Sequence, residues 1–124
     1  MDERLAIRVR LFREGGQVRP EVVEFVVAEL AALDAEGAPV TDESAGLLTS
    51  HLMFALTRLV DGEPITEYST DAQVAAELAD HPEALWRARA VAARARERLG
   101  ATLPESEVNF LGLHLAVLAR HGTH

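Results

Sequence analysis

Two histidines, His51 and His114, sit in the middle of helix-patterned apolar stretches of this 124-residue chain. An imidazole titrates near pH 6.5, can donate and accept hydrogen bonds, and can ligate a metal. Its free nitrogen is also a competent nucleophile towards an activated phosphoryl group. Each of the two has a charged companion seven residues away: Arg58 follows His51, and Glu107 precedes His114. Seven residues span two helical turns, roughly 10.5 Å along the axis. Each pair therefore shares a face without touching through the backbone. If the two helices pack together, His51 and His114 face a common groove with Arg58 and Glu107 on its rim.

Three chemistries fit such a groove. The blandest is two partly buried histidines, each satisfied by one hydrogen bond. A metal pair is disfavoured, because neither histidine falls in an HxxxH or HExxH spacing, and neither metal nor cofactor is expected. A phosphate-accepting histidine is the third. The product would carry roughly −1.5 to −2 charge if it resembles other phosphorylated side chains, and an arginine one or two turns away could capture it.

Helices must position these groups. Residues 2–13 are ambiguous: Leu5, Ile7, Val9 and Leu11 alternate as in a strand, while Leu5, Val9 and Phe12 share a helical face. A lone strand would have nothing to pair with, so a helix ended by Gly15 and Gly16 is the reading. The next begins at Pro20, with Val23, Val26, Val27, Leu30 and Leu33 at helical spacing, and stops at Gly37 and Pro39. A third starts near Thr41, buries Leu48, Leu52, Ala55 and Leu59, and carries His51, Phe54 and Arg58 on its shoulder. A short helix over 69–79 is interrupted by His81–Pro82. A stronger one follows, with Asp80 and Glu83 at capping-box spacing and Leu85, Ala88, Ala92, Ala95 and Leu99 as its seam. The last helix has Thr102 as cap and Val108, Leu111, Leu115 and Leu118 inward. The expected fold is all-α: one five-helix bundle of antiparallel helix pairs over 17–120, an N-terminal segment over 1–16, and a frayed tail over 121–124.

Composition narrows the classes of function. The chain has no cysteine, which removes disulfides, thiol nucleophiles, zinc fingers and iron–sulfur clusters. All 12 of its basic residues are arginine, so no lysine is available as a base or Schiff-base amine. The formal net charge of −8 argues against direct nucleic-acid binding. No apolar run approaches the roughly 20 residues of a membrane span, and the first residues are too charged for a secretory signal, so a cytoplasmic protein is expected. There is no Ser-His-Asp arrangement, glycine-rich phosphate loop or GxSxG, and the acidic residues read as scattered over solvent-facing positions, so no enzyme is expected. Arg87, Arg89, Arg94, Arg96 and Arg98 read as a solvated helix face, with an acidic partner as the sharper alternative. His81 reads as an exposed connector and Trp86 as a packer at the edge of the core.

The segment TDESAGLLTSHLMFALTRLVDGEPI resembles the first half of a phosphotransferase-system regulation domain, and LPESEVNFLGLHLAVL resembles the C-terminal helix of that family. The resemblance runs from about Pro20 to Ala119. Ser50 stands where the family often has an aspartate. The resemblance implies a stand-alone helical module, dimeric, phosphorylated on histidine by a carrier protein or transporter component of the phosphotransferase system. It implies a role in regulating transcription of sugar-utilisation genes through an interface switch. His51 and His114 would be the phosphoacceptors, and Arg58 and Glu107 would stabilise the phosphate or orient the rings. A purely structural dimerisation or docking bundle is the alternative, and a small enzyme or metal binder using the same groove is the third possibility.

Overall fold

The computed structural model describes residues 2–63 and 72–122. They form six helices: α1 (Glu3–Gly15), α2 (Pro20–Ala35), α3 (Asp42–Val60), α4 (Ala72–Ala79), α5 (Pro82–Leu99) and α6 (Glu105–Gly122). No strand occurs among the described residues. Six helices stand where a five-helix bundle over 17–120 was expected: α1 belongs to the N-terminal segment over 1–16, and α2 to α6 follow it. The break between α4 and α5 falls at His81, whose backbone (φ −133°, ψ 61°) is non-helical, in keeping with the steric bar that Pro82 places on helical geometry in the residue before it. The first three residues of the expected 69–79 helix, and the last two of the expected frayed tail, lie outside the described residues; α6 is helical through Gly122.

The ambiguous first stretch is helical. Leu5 and Val9 are buried and Phe12 packs on the core, while Ile7 and Leu11 face outward. The strand-like alternation therefore reflected two exposed apolar residues, which helices tolerate and a half-buried strand would not. Asp2 caps α1, and left-handed Gly16 ends it. Asp2 also accepts from the backbone N–H of Asp42, Arg8 bonds Asp42, and Phe12 meets Phe54 edge to face. Those contacts advance together along both helices, so α1 lies parallel to α3. Gly46 permits the close approach. A Cβ there would stand 2.9 Å from Asp42 Oδ1 and 3.0 Å from Arg8 Nη2.

Thr41 caps α3 as its residue type suggested, and it forms a reciprocal box with Ser44. Two other caps differ from expectation. The residue before α5 is His81, with no side-chain cap bond, so Asp80 and Glu83 make no capping box. Helix α6 starts at Glu105, too far along for Thr102 to cap it. Prolines at the helix starts explain both: Pro82 needs no donor in the first turn, and Pro104 supplies the carbonyl that accepts from Glu107 and Val108.

Antiparallel pairs build the core. α2 and α3 pair head to tail, with the Arg19 backbone N–H donating to Thr57 Oγ1 and the Arg19 side chain bonding Asp61. α5 turns back on α6 through left-handed Gly100. There Ala88 and Leu85 lie against Gly112, whose missing Cβ leaves room for Leu78 of α4. α2 crosses onto α5, and α3 onto α6. The core is aliphatic: Leu30, Leu48, Met53, Leu56, Leu111 and Leu118 are among its fully buried side chains.

Candidate functional site

The α3–α6 contact carries the site. α3 turns Leu48, Leu52 and Ala55 inward, which leaves His51 on the flank that meets α6. α6 turns Val108, Leu111, Leu115 and Leu118 inward. The same helical period sets Glu107, Phe110 and His114 on the flank that meets α3.

The structure brings three of the four expected residues together. His51 Nε2 is hydrogen-bonded to Glu107 Oε2 across the two helices. Phe110 stacks on the His51 ring at a centroid distance of 4.1 Å and an interplanar angle of 29°. It also touches the His114 ring at 4.4 Å, tilted by 44°. One phenyl ring thus contacts both imidazoles.

The roles differ from those that spacing suggested. Glu107 is only 4% exposed, so it is not a rim residue. Its partner is His51 of the other helix, and its own-helix companion His114 contacts Phe110 instead. Arg58 lies exposed two turns further along α3. His51 keeps 28% of its side chain open, and His114 is half-buried.

A buried carboxylate accepts, so the Nε2 of His51 carries the proton and the lone pair resides on Nδ1. Among the described residues no hydrogen bond engages His51 Nδ1 or either ring nitrogen of His114. Burial pushes the His114 pKa down, and the nearby His51 lowers it further. His114 is therefore held towards its neutral form, the nucleophilic one. Among the described residues no group of three or more His, Cys, Asp or Glu is placed to hold a metal. No described helix is long and apolar enough to cross a membrane.

Two neighbours were not singled out from the sequence. Phe110 could have been: it lies three residues after Glu107 and four before His114, so the three share a helix face. Arg8 could not, because it arrives from α1 and donates to Ser50 Oγ at 2.8 Å, next to His51, while bonding both oxygens of Asp42. Its guanidinium holds the Asp42 carboxyl below the usual carboxylate range.

Elsewhere the solvated arginine face is only partly that. Arg94 makes a two-pronged bond at 2.7 Å and 2.7 Å to Glu29, itself just 9% exposed. Arg87 bonds Glu36 and Arg89 bonds Glu105. Glu29 and Glu107 thus correct the expectation that the acidic residues all face solvent. Trp86 is 68% exposed and is not a core-edge packer; the positions of α5 that turn inward are taken by Ala84, Ala88, Val91 and Ala95. Comparison with models of protein families, with curated proteins and with solved structures gives no match.

Proposed function

We propose that this chain is a regulatory helical module, like a phosphotransferase-system regulation domain, that accepts a phosphoryl group on histidine from a phosphotransferase-system protein. The observation that carries the reading is the buried Glu107 hydrogen-bonded to the partly open His51, with His114 on the same phenyl ring. The carboxylate fixes the proton on one ring nitrogen and leaves the other free to attack, as the acidic partner does in activated histidine pairs generally.

In the transfer, the Nδ1 lone pair of His51 forms a bond to phosphorus. The bond from phosphorus to the donor's histidine nitrogen breaks, and the donor nitrogen keeps that electron pair. The His51 ring becomes cationic while its Nε2 proton remains on the bond to Glu107, which offsets the new positive charge. His114 is a second acceptor, and Arg58 meets the added negative charge from two turns away. The new charge changes what the α3–α6 face can pack against, and that change is the regulatory output on sugar-utilisation genes. Chemistry is done to this protein by its donor, so the protein is a substrate and not an enzyme.

Incubation with phosphoenolpyruvate and an active phosphotransferase carrier tests it. Intact mass under neutral conditions should rise by one phosphate per reacting histidine, and the increase should fall in His51→Gln or His114→Gln. No mass increase with a verified donor would leave a structural docking bundle, the reading that the exposed Leu47 and Phe54 beside the site favour.

A further inference from the structure

α2 and α5 meet through charged side chains, Glu29 with Arg94 and Glu36 with Arg87, and stand apart beneath them. A groove of about 270 Å³ opens there. Its floor is the centre of the bundle: Val26 and Leu30 of α2, Leu48 and Leu52 of α3, Leu111 and Leu115 of α6. Close-packed interiors rarely leave such space beside aliphatic side chains. The walls are short: Ala32 of α2 and Ala90 of α5 line the groove where longer side chains would close it. Roughly 150 Å³ of apolar cavity admits a benzene ring, so this groove has room for one ring and a short chain.

The mouth sets the charge of what enters. Glu29, Glu36 and Glu83 line the groove with Arg87 and Arg94. Both guanidiniums are engaged: Arg94 donates twice to Glu29, and Arg87 bonds Glu36 and Glu83. A guanidinium only donates, whereas a carboxylate can accept about four hydrogen bonds. Three carboxylates against two arginines therefore leave acceptors and one negative charge in surplus. Glu83 is the least committed of the three, with 80% of its side chain in water and a contact of 3.4 Å to Arg87. Trp86 follows it by three residues on the same face of α5 and also lines the groove. Its exposed indole offers a ring face, which attracts cations. The formal net charge of −8 adds to that preference.

We infer that the groove binds a small organic cation, an ammonium group on a short apolar tail. The tail fills the aliphatic floor, and the ammonium stays at the mouth between the Glu83 carboxylate and the Trp86 indole. An anion would have to displace a carboxylate from Arg87 or Arg94. A neutral molecule would gain the floor and leave the surplus charge unmet. The site is distinct from the His51–Glu107 pair and does not depend on phosphorylation.

Trp86 is the chain's one tryptophan, so indole fluorescence reports on the mouth directly. Titration of the full chain with phenethylammonium should change that emission saturably at high-micromolar to low-millimolar ligand, and calorimetry should return the same constant. Phenethyl alcohol, which keeps the ring without the charge, should bind more weakly, and hydrocinnamate, an anion of similar size, more weakly still. Glu83→Gln should weaken phenethylammonium by roughly two- to fivefold, as loss of an exposed ion pair does, and leave phenethyl alcohol unchanged. Ala90→Phe fills the groove and should abolish binding of both while keeping the helical circular dichroism. Glu83 is exposed, so its variant reads the site even where Ala90→Phe fails to fold. Absence of saturable binding overturns the inference. Equal or tighter binding of the alcohol or the anion, or a Glu83→Gln chain that holds phenethylammonium as the wild type does, overturns the assigned charge. Unchanged binding in a folded Ala90→Phe chain overturns the location.

Discussion

The bundle buries two glutamates among its described residues and answers them differently. Glu29 of α2 meets Arg94 of α5 in a two-pronged charge pair. Glu107 of α6 meets His51 of α3 through one imidazole nitrogen. Arginine stays charged at any physiological pH, so the first pair is a fixed clamp between helices. The imidazole keeps a second ring nitrogen open to chemistry, so the second pair is a place where the bundle can respond. The same buried anion serves as a fastener at one helix contact and as an activator at the other, and its partner decides which.

The largest way to break the contrast is to remove the clamp. Arg94→Ala leaves a nearly buried carboxylate without its cation. A fully buried pair broken in this way costs about 3–5 kcal/mol. Arg94 keeps 40% of its side chain in water, so about 2–4 kcal/mol is the expected loss, read by urea denaturation. Replacing both partners with apolar residues of similar size should recover most of it, since the clamp's desolvation is then avoided. If Arg94→Ala costs under about 1 kcal/mol, the pair acts as an ordinary surface bridge and the contrast fails.

His51→Ala comes next. It strips Glu107 of its hydrogen bond and Phe110 of its stacking partner. An unmet buried acceptor costs about 1–3 kcal/mol, less than the clamp, because one hydrogen bond from an imidazole is lost instead of two from a charged guanidinium. A loss equal to that of Arg94→Ala would mean that both glutamates are fasteners and that the His51 site is built for stability.

Which parts of this arrangement the sequence discloses follows from the range of each interaction. Thr41 and Ser44 lie three residues apart, so the start of α3 can be read locally, and Gly16 and Gly100 end helices by backbone freedom alone. The inward stripes of α3 and α6 repeat with the helical period, which is why His51 and His114 stand out as polar interruptions at their edges. The pairing of His51 with Glu107 spans 56 residues, and no periodicity encodes it. Spacing instead matched Glu107 to His114, its neighbour two turns on. Arg8 beside Ser50, and Arg94 on Glu29, escape for the same reason: α5 alone shows a stripe of arginines, and only its packing on α2 shows which of them meets a buried acid.

pH sharpens the comparison from the other side. The His114 pKa is lowered in the fold by burial and by His51. The unfolded chain therefore binds this proton more readily than the folded one. Stability contributed by neutral His114 is present above its unfolded pKa near 6.5 and declines as pH falls through that value towards the folded pKa. Melting temperature should drop between pH 7 and pH 5, and the drop should shrink in His114→Gln. Arg94→Ala removes no imidazole, so it should leave the His114 contribution to that slope in place. An unchanged slope in His114→Gln would show that the proton-sensitive group is elsewhere.

The smallest effect expected is at Trp86. It lines a groove of about 270 Å³ between α2 and α5, together with Glu29 and Arg94. At 68% exposure its indole leaves most of its surface in water, so it adds little to the clamp's desolvation. Trp86→Ala should change stability by about 0.5 kcal/mol or less, as surface substitutions usually do, measured in the same urea titration. A larger loss would mean that the indole shields the charge pair from solvent and strengthens it in a drier setting. The clamp would then owe its strength to the wall around it as well as to the arginine, and the two glutamates would differ by environment as much as by partner.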